Sequence, residues 1–380
     1  MDQNKKIVKV AHLMGSLNQG GAEVLLLDVC NNVNDGELNL VLIHRKDGQL
    51  KKAFQQTAIP LFKLCSTSPI DVGYFIKLRK LIVANNIQLI HTHQALDAVA
   101  SSLATLGLSV PVVFTLHGHG LTDSLFSRIL RYWAIRWSTK VLFVSHAQQL
   151  HYLHRYKTIR QGKVLPNGID FKKNFPRPDF LNLGDKSGMV SHELLLGSVG
   201  NFTSGRDQLT ICKFLSLLKA QGIPFKFLFV GAPSQVEPEL YEQCVAYCEA
   251  HGLSEQVLFL GSRSNVPEIL PQLDAFIYSS VHDTFGIALI EAIASGIPVF
   301  VNDWGVMREV TNEGAWATLY VSKDTADLLA KFLDFYAHQD IYRERSKRHA
   351  RQVRDRYNIE KYLTKLRHIY GQLLTNTQLK

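Results

Sequence analysis

Residues 274–302 read DAFIYSSVHDTFGIALIEAIASGIPVFVN. DAFIYSS has the length and the branched and aromatic content of a buried strand, and VHDT is a polar loop. A helix begins near Phe285-Gly286, and IPVFVN is a second strand. Strand, loop, helix and strand in succession make one unit of a parallel α/β sheet. Two acids stand out in it. Asp283 lies just before the helix, and Glu291 sits among Ile290, Ala292, Ile293 and Ala294, where a solvated carboxylate is out of place.

The same rhythm runs outward in both directions. Strand candidates upstream are IVKVAHL (7–13), LNLVLIH (38–44), IQLIHTH (87–93), VPVVFTL (110–116) and KVLFVS (140–145). Residues 171–192 lose the apolar rhythm and gather Pro, Gly and charge, which marks a linker. The pattern restarts with LLLGSVG (194–200), FKFLFVG (225–231) and QVLFLG (256–261). A chain of 380 residues suits two cores. The expectation is two consecutive Rossmann-like domains, 1–172 and 190–356, whose strand ends face each other across a ligand cleft.

Composition narrows the class. Five cysteines, none in a CxxC or finger spacing, suit a reducing compartment. The N-terminus reads as a first strand and not as a secretion signal. AVASSLATLGLSVPVVFTL (98–116) is uncharged, yet Gly107 and Pro111 divide it into helix, loop and strand, against a membrane span. The net charge of +9 is uneven, at +11 over residues 1–180 and −2 over 181–380. A basic half attracts nucleic acid, phospholipid or phosphorylated ligands. No nucleic-acid motif accompanies it, so no such partner is expected. SLFSRILRYWAIRWST (124–139) plots as a helix with Phe126, Ile129, Leu130, Trp133 and Trp137 on one face. Arg128 and Arg131 lie opposite and Arg136 at the margin. The plainer reading packs the apolar face on the domain's own sheet; the other lays it on an anionic bilayer.

Three constellations can carry chemistry. Gly286 lets a ligand approach the backbone, and the amides of Phe285, Gly286 and Ile287 at a helix start form an anion site. Glu291 can accept two hydrogen bonds from a vicinal diol, and Asp283 can accept from a second sugar. Both acids are otherwise a loop cap and a surface residue. In GSVGNFTSGRDQLT (197–210), Arg206 sits on a strand-to-helix loop, which suits a diphosphate clamp or a solvated arginine. In MGSLNQGGAEVLLLDV (14–29), Gly20-Gly21 opens a helix, but the spacing is not the dinucleotide fingerprint. The pairs His91-x-His93 and His117-x-His119 lie at strand ends and could in principle hold zinc. With no carboxylates beside them no metal is expected, and His117 is the better substrate contact.

These motifs resemble a known family. The series GGAE (20–23), TLHG (115–118), VSHA (144–147), VLPNGID (164–170), FVGAP (229–233), VLFLG (257–261) and D-x7-E around Phe285-Gly286 is similar to the family 4 retaining glycosyltransferases of the GT-B fold. The resemblance implies a sugar transferase with a nucleotide diphosphate sugar donor and a saccharide or lipid-linked saccharide acceptor. It places the protein in polysaccharide, lipopolysaccharide or glycolipid synthesis. It implies that no metal is needed, and no cofactor is expected; a cytoplasmic protein is expected from the cysteine usage, with peripheral contact at an anionic membrane as the alternative reading of residues 124–139. The C-terminal helix, about 357–380, would pack back on the first, acceptor-binding domain. Glu291 would bind ribose, Asp283 the donor sugar, and residues 285–287 the diphosphate. Arg206 would stabilise the leaving phosphates, and the backbone near Arg263 would frame the base. Gly20, Gly21 and His117 would complete the site from the first domain. Asp283, His117 and Arg206 are the expected catalytic set. Two positions depart from the family: Asp283 replaces a glutamate, and Asn201 replaces a cation that normally accompanies Arg206. A nucleotide-sugar epimerase of the same fold, or a non-catalytic sugar-nucleotide binder, are the rival readings.

Overall fold

The computed structural model describes residues 8–33, 38–66, 71–120, 124–156, 162–172 and 193–378. Seven strands form the first sheet: β1 (Val8–Ser16), β2 (Leu38–Lys46), β3 (Leu61–Lys63), β4 (Leu89–Thr92), β5 (Val112–Leu116), β6 (Lys140–Phe143) and β7 (Gly162–Val164). Six form the second: β8 (Leu194–Val199), β9 (Phe225–Val230), β10 (Val257–Phe259), β11 (Ala275–Tyr278), β12 (Val299–Asn302) and β13 (Thr318–Tyr320). The orders are β3-β2-β1-β4-β5-β6-β7 and β10-β9-β8-β11-β12-β13, and the registered pairs are parallel. Each order reverses once, between β1 and β4 and between β8 and β11. In a doubly wound sheet the loops leaving such a reversal diverge to opposite faces and leave a crevice at the carboxyl edge.

The chain divides into two units, Met1–Asp170 with Tyr357–Lys380, and Phe171–Arg356. Both are α/β with parallel sheets, the architecture read from the alternation of apolar runs. Three strands escaped that reading. β3, β7 and β13 are three-residue edge strands at which Pro, Lys, Gly or Thr breaks the apolar run, whereas the equally short β10 sits in VLFL. The uncharged stretch around Gly107 is a helix, Ala95–Ala104, then β5, with Gly107 at φ 74° between them. Among the described residues no helix is long and apolar enough to cross a membrane.

Phenylalanine dominates the core of the second unit: Phe214, Phe225, Phe227, Phe229, Phe300, Phe332 and Phe335 pack around β8, β9 and β12. In the first unit, Leu25, Leu26 and Val29 of the helix Gly21–Asn32 share a core with the final helix, Ile359–Gln378. Leu363, Leu366, Ile369 and Tyr370 supply that helix's buried stripe, at the spacing of three and four that keeps one face turned inward. Amide-to-carbonyl bonds between Ile169 and residues 357 and 359 tie the returning chain down.

The helix Leu125–Trp137 corrects one expectation. Its apolar stripe does not pack on the sheet: Phe126, Ile129, Trp133 and Trp137 are 47%, 50%, 40% and 42% exposed. The helix is seated instead through Ala134 and Ile135, with Leu130 partly covered. Arg131 lies on the seated side, 6.0 Å from the Tyr152 ring, while Arg128 and Arg136 are exposed beside the stripe.

The final helix is thus part of the first unit's core. Leu366→Ala should destabilise that unit by about 2–5 kcal/mol, while exposed Lys365→Ala stays within about 0.5 kcal/mol. Urea unfolding followed by a probe in the first unit checks this. Equal midpoints for the two variants would mean the helix is only loosely docked.

Candidate active site

In the second unit the expected donor residues lie on the connections leaving the carboxyl ends of three strands. Asn201 and Arg206 follow β8, Arg263 follows β10, and Asp283 to Glu291 follow β11. Arg206 and Asp283 therefore flank the β8/β11 reversal. Their loops are laced together: the amide of Val281 and the hydroxyl of Ser280 both donate to the Gly205 carbonyl, at 3.1 Å each. Asp207 accepts from the amide and hydroxyl of Thr210 and caps the helix Gln208–Ala220. One loop is thereby fixed to the other before any ligand arrives.

Within this frame a trio forms, with Tyr278 buried and Arg206 and Asp283 half-buried. The Tyr278 hydroxyl donates to Asp283 Oδ2 at 2.5 Å, and the Arg206 guanidinium approaches the same oxygen at 3.5 Å. The guanidinium carbon stands 4.3 Å from the centre of the Tyr278 ring, a cation–π contact. Gly200 makes room for it, because a Cβ there would come within 3.0 Å of the guanidinium carbon. The other carboxylate oxygen, Oδ1, accepts from the amides of Thr284 and Phe285 at 2.7 and 3.3 Å.

Charge in this trio is balanced by proximity. Burial alone would raise the Asp283 carboxyl, but Arg206, the Tyr278 hydroxyl and the two amides outweigh it and hold it below the usual carboxylate range. Burial opposes the charge of Arg206, yet its two neighbours keep it firmly protonated. The Tyr278 phenol is pushed far up, chiefly by burial. At neutral pH the site holds one carboxylate, one guanidinium and one neutral phenol.

Two sequence expectations change on this geometry. The amide of Phe285 does not point outward as part of an anion site; it is turned onto Asp283. The helix proper is Ile287–Ala294, with Gly286 in the left-handed region at φ 77° as its N-cap. Among the described residues, the amides of Gly286 and Ile287 at this helix start have no hydrogen-bond partner. Asp283, one methylene shorter than glutamate, spends its oxygens on its own loop and on Tyr278 and Arg206. Asn201 is likewise engaged, its Oδ1 accepting from the Ala232 amide at 2.9 Å and bridging the loops after β8 and β9. Glu291 is half-buried in the second turn, with Ile290, Ala292, Ile293 and Ala294 buried around it. Arg263 is exposed on the loop past β10. Sequence reasoning missed Tyr278; a tyrosine ending an apolar strand reads as core.

In the first unit Gly20 caps the helix Gly21–Asn32 in extended conformation, and the Glu23 carboxylate folds over it, 2.6 Å from where a Cβ would stand. Burial raises the Glu23 carboxyl. His117 follows β5 in a loop held by Gln148, which donates to the carbonyls of Leu116 and Gly118, and by the Tyr152 hydroxyl on Gly118. His117 does not stand alone. Its Nε2 pairs with His93 Nδ1 at 3.0 Å.

Comparisons with known proteins follow the same division. The model of the glycosyl transferases group 1 matches residues 182–353, and that of Glycosyltransferase Family 4 matches residues 19–173. The chain belongs to the family 4 glycosyltransferases and has their GT-B fold. It is 25% identical over 330 residues to N-acetyl-alpha-D-glucosaminyl L-malate synthase of Bacillus anthracis, covering 84% of each chain. It is 22% identical over 385 residues to the Escherichia coli UDP-Gal:alpha-D-GlcNAc-diphosphoundecaprenol alpha-1,3-galactosyltransferase, covering 97% of this chain and 98% of that one. Among solved structures, Anabaena HepE in complex with UDP and glucose superposes with a TM-score of 0.85 at 19% identity, over 96% of this chain and all of that one.

The Asp283 carboxyl carries a pH signature. Its folded-state pKa is depressed, so its contribution to stability is complete above the unfolded value of about 3.9 and is lost as pH falls through the folded value. Wild-type stability in urea should therefore decline more steeply below about pH 4 than that of Asp283→Asn. Parallel curves for the two proteins would show that the carboxylate is not held by Arg206 and Tyr278.

Proposed function

We propose that this glycosyltransferase moves a sugar from a nucleotide diphosphate donor to an acceptor hydroxyl with retention at the anomeric carbon and without a metal. The observation that carries this is the fixed Arg206 charge beside the free amides of Gly286 and Ile287, at the reversal of the second sheet. A preset cation and two helix-start amides suit two bridging phosphates. Glu291, further along the same helix, suits the ribose diol, and the exposed backbone near Arg263 suits the base. That HepE was solved with UDP and with UDP-glucose supports a donor of this kind.

In the reaction the acceptor oxygen bonds to the anomeric carbon as the bond from that carbon to the phosphate oxygen breaks. The acceptor proton passes to the departing phosphate on the same face, so the protein need not supply a strong base. Negative charge grows on the phosphates, and Arg206 answers it without reorganising, because Asp283 and Tyr278 already hold it. Asp283 acts in this account through Arg206 and through the loop, with sugar hydroxyls sharing its oxygens. Gly20 and Gly21 suit close backbone approach by the donor, and His117 serves the acceptor side as a neutral hydrogen-bond partner.

A lipid-linked saccharide acceptor at an anionic membrane face fits one further feature. The helix Leu125–Trp137 displays two tryptophans, Phe126 and Ile129, flanked by exposed Arg128 and Arg136. Amphipathic helices of this kind bury the apolar face at the headgroup boundary while the cations meet anionic lipid. Relatives named for diphosphoundecaprenol and phosphatidyl-myo-inositol acceptors support this choice.

Three measurements test the proposal. Glu291→Ala should cost roughly 10- to 150-fold in kcat/KM for donor, the loss of about 1.5–3 kcal/mol of charged hydrogen bonding. Arg206→Ala should lower kcat more than donor affinity, and EDTA should leave the wild type active; a chelator-sensitive enzyme restored by manganese would overturn the metal-free reading. Wild-type protein should bind anionic vesicles in a manner that weakens with salt over a screening length of about 8–10 Å. Trp133→Ser with Trp137→Ser should abolish that binding and leave donor affinity unchanged. A wild type indifferent to anionic vesicles at low salt would point to a soluble acceptor.

A further inference from the structure

The first unit buries a continuous chain of hydrogen-bonding rings beneath the carboxyl ends of β1, β4 and β5. From His117 Nε2 it runs to His93 Nδ1 at 3.0 Å, and from His93 Nε2 to His12 Nδ1 at 3.0 Å. His12 Nε2 meets the Tyr370 hydroxyl at 3.3 Å, and that hydroxyl meets His91 Nδ1 at 2.6 Å. His91 Nε2 ends the run on the Thr115 hydroxyl at 2.7 Å. His12, His91 and His93 are 2%, 0% and 6% exposed.

By distance alone, the ring nitrogens of His12, His91 and His93, all within 4.8 Å, resemble a metal-ligand group. Their orientation favours the chain instead. All six nitrogens already have hydrogen-bond partners. The ring planes of His12 and His93 lie at 15° and those of His91 and His93 at 28°, and every nitrogen's bonding capacity is taken up within the chain. Burial also keeps the rings neutral, with His12 held down at about 3, His117 at about 4, and His91 and His93 well below the usual range.

A neutral imidazole has one N–H, and each link of the chain needs one proton. If His117 donates from Nε2, His93 must accept at Nδ1 and donate from Nε2. His12 then does the same, Tyr370 accepts from His12 and donates to His91, and His91 donates from Nε2 to Thr115. The reverse arrangement puts every proton on Nδ1. A mixed arrangement requires the Tyr370 oxygen to accept from both His12 and His91, which leaves the buried Tyr370 proton with no acceptor in the chain.

We propose that His93, His12, Tyr370 and His91 are positioning residues, a tautomer-coupled relay that fixes which ring nitrogen of His117 carries its proton. His117 offers either an Nδ1 lone pair or an Nδ1–H, and the choice is made by the chain as a whole and anchored on the final helix through Tyr370. A hydrogen bond to an acceptor hydroxyl needs a defined polarity, and a wrong tautomer removes it. The relay rests on the reading of His117 as an acceptor-side contact, but its tautomer can be measured in the resting protein.

Histidine labelled with 15N reports the protonated nitrogen through long-range proton–nitrogen correlations. The four rings of the wild type should share one tautomer. In Tyr370→Phe, which keeps the ring and removes the link, His117 should become a mixture of tautomers. Its kcat should fall about tenfold or more with donor KM unchanged. Thr115→Val, nearly isosteric, cuts the far end and should loosen the same signal if Tyr370→Phe folds poorly. Unlike tautomers among the four wild-type rings, or a His117 spectrum unmoved by both variants, would overturn the relay whether or not sugar is transferred. A shifted tautomer with unchanged kcat would overturn its role in positioning. Loss of turnover in His117→Ala tests the underlying assignment separately.

Discussion

The Asp283 carboxylate is the contact on which the second unit's site depends. It must hold Arg206 and Tyr278 on one oxygen and two loop amides on the other, and removing it would loosen all of them together. A buried guanidinium without a partner carries a large desolvation cost, so the pair is needed before the cation can stand near a ligand. The cation–π contact with Tyr278 and the space left by Gly200 then leave Arg206 few alternative positions. Preset charge is what a developing phosphate anion requires, because no reorganisation is then spent during the reaction. The shorter acid has a consequence here. Its reach is confined to the loop it organises and to the cation and phenol it holds.

Much of this was legible in the residues, and the limits of that reading are physical. The alternation of short apolar runs with helical patterns identified ten of the strands; at β3, β7 and β13 Pro, Lys, Gly or Thr breaks the run. Gly286, Arg206 and Asp283 were visible as chemistry at strand ends. What periodicity cannot report is the direction in which a side chain turns. Asp283 looked available to a sugar because nothing in HDTFG says that its oxygens meet Tyr278 and two amides. The apolar face of the helix Leu125–Trp137 looked like core for the same reason: the pattern shows a stripe, and only packing shows what covers it.

The histidine chain illustrates a different limit. His91, His93 and His117 were noticed as HxH pairs, whereas His12 lies inside β1 and Tyr370 is 279 positions from its partner His91. Parallel register places His12 opposite His91, so the sheet itself assembles the group. The two units thus prepare their polar groups by similar means. In one, a carboxylate and a phenol fix a cation; in the other, buried neutral rings constrain one another's protons.

Diphosphate recognition by the second unit is tested most directly by calorimetric titration of the wild-type protein with UDP, UMP and uridine. Affinity should rise with each phosphate, with the second contributing about tenfold or more through charge-assisted bonds to Arg206 and the helix start. It should also weaken with added salt. Equal affinities for UDP and uridine, or no binding of any of the three, would contradict the central claim.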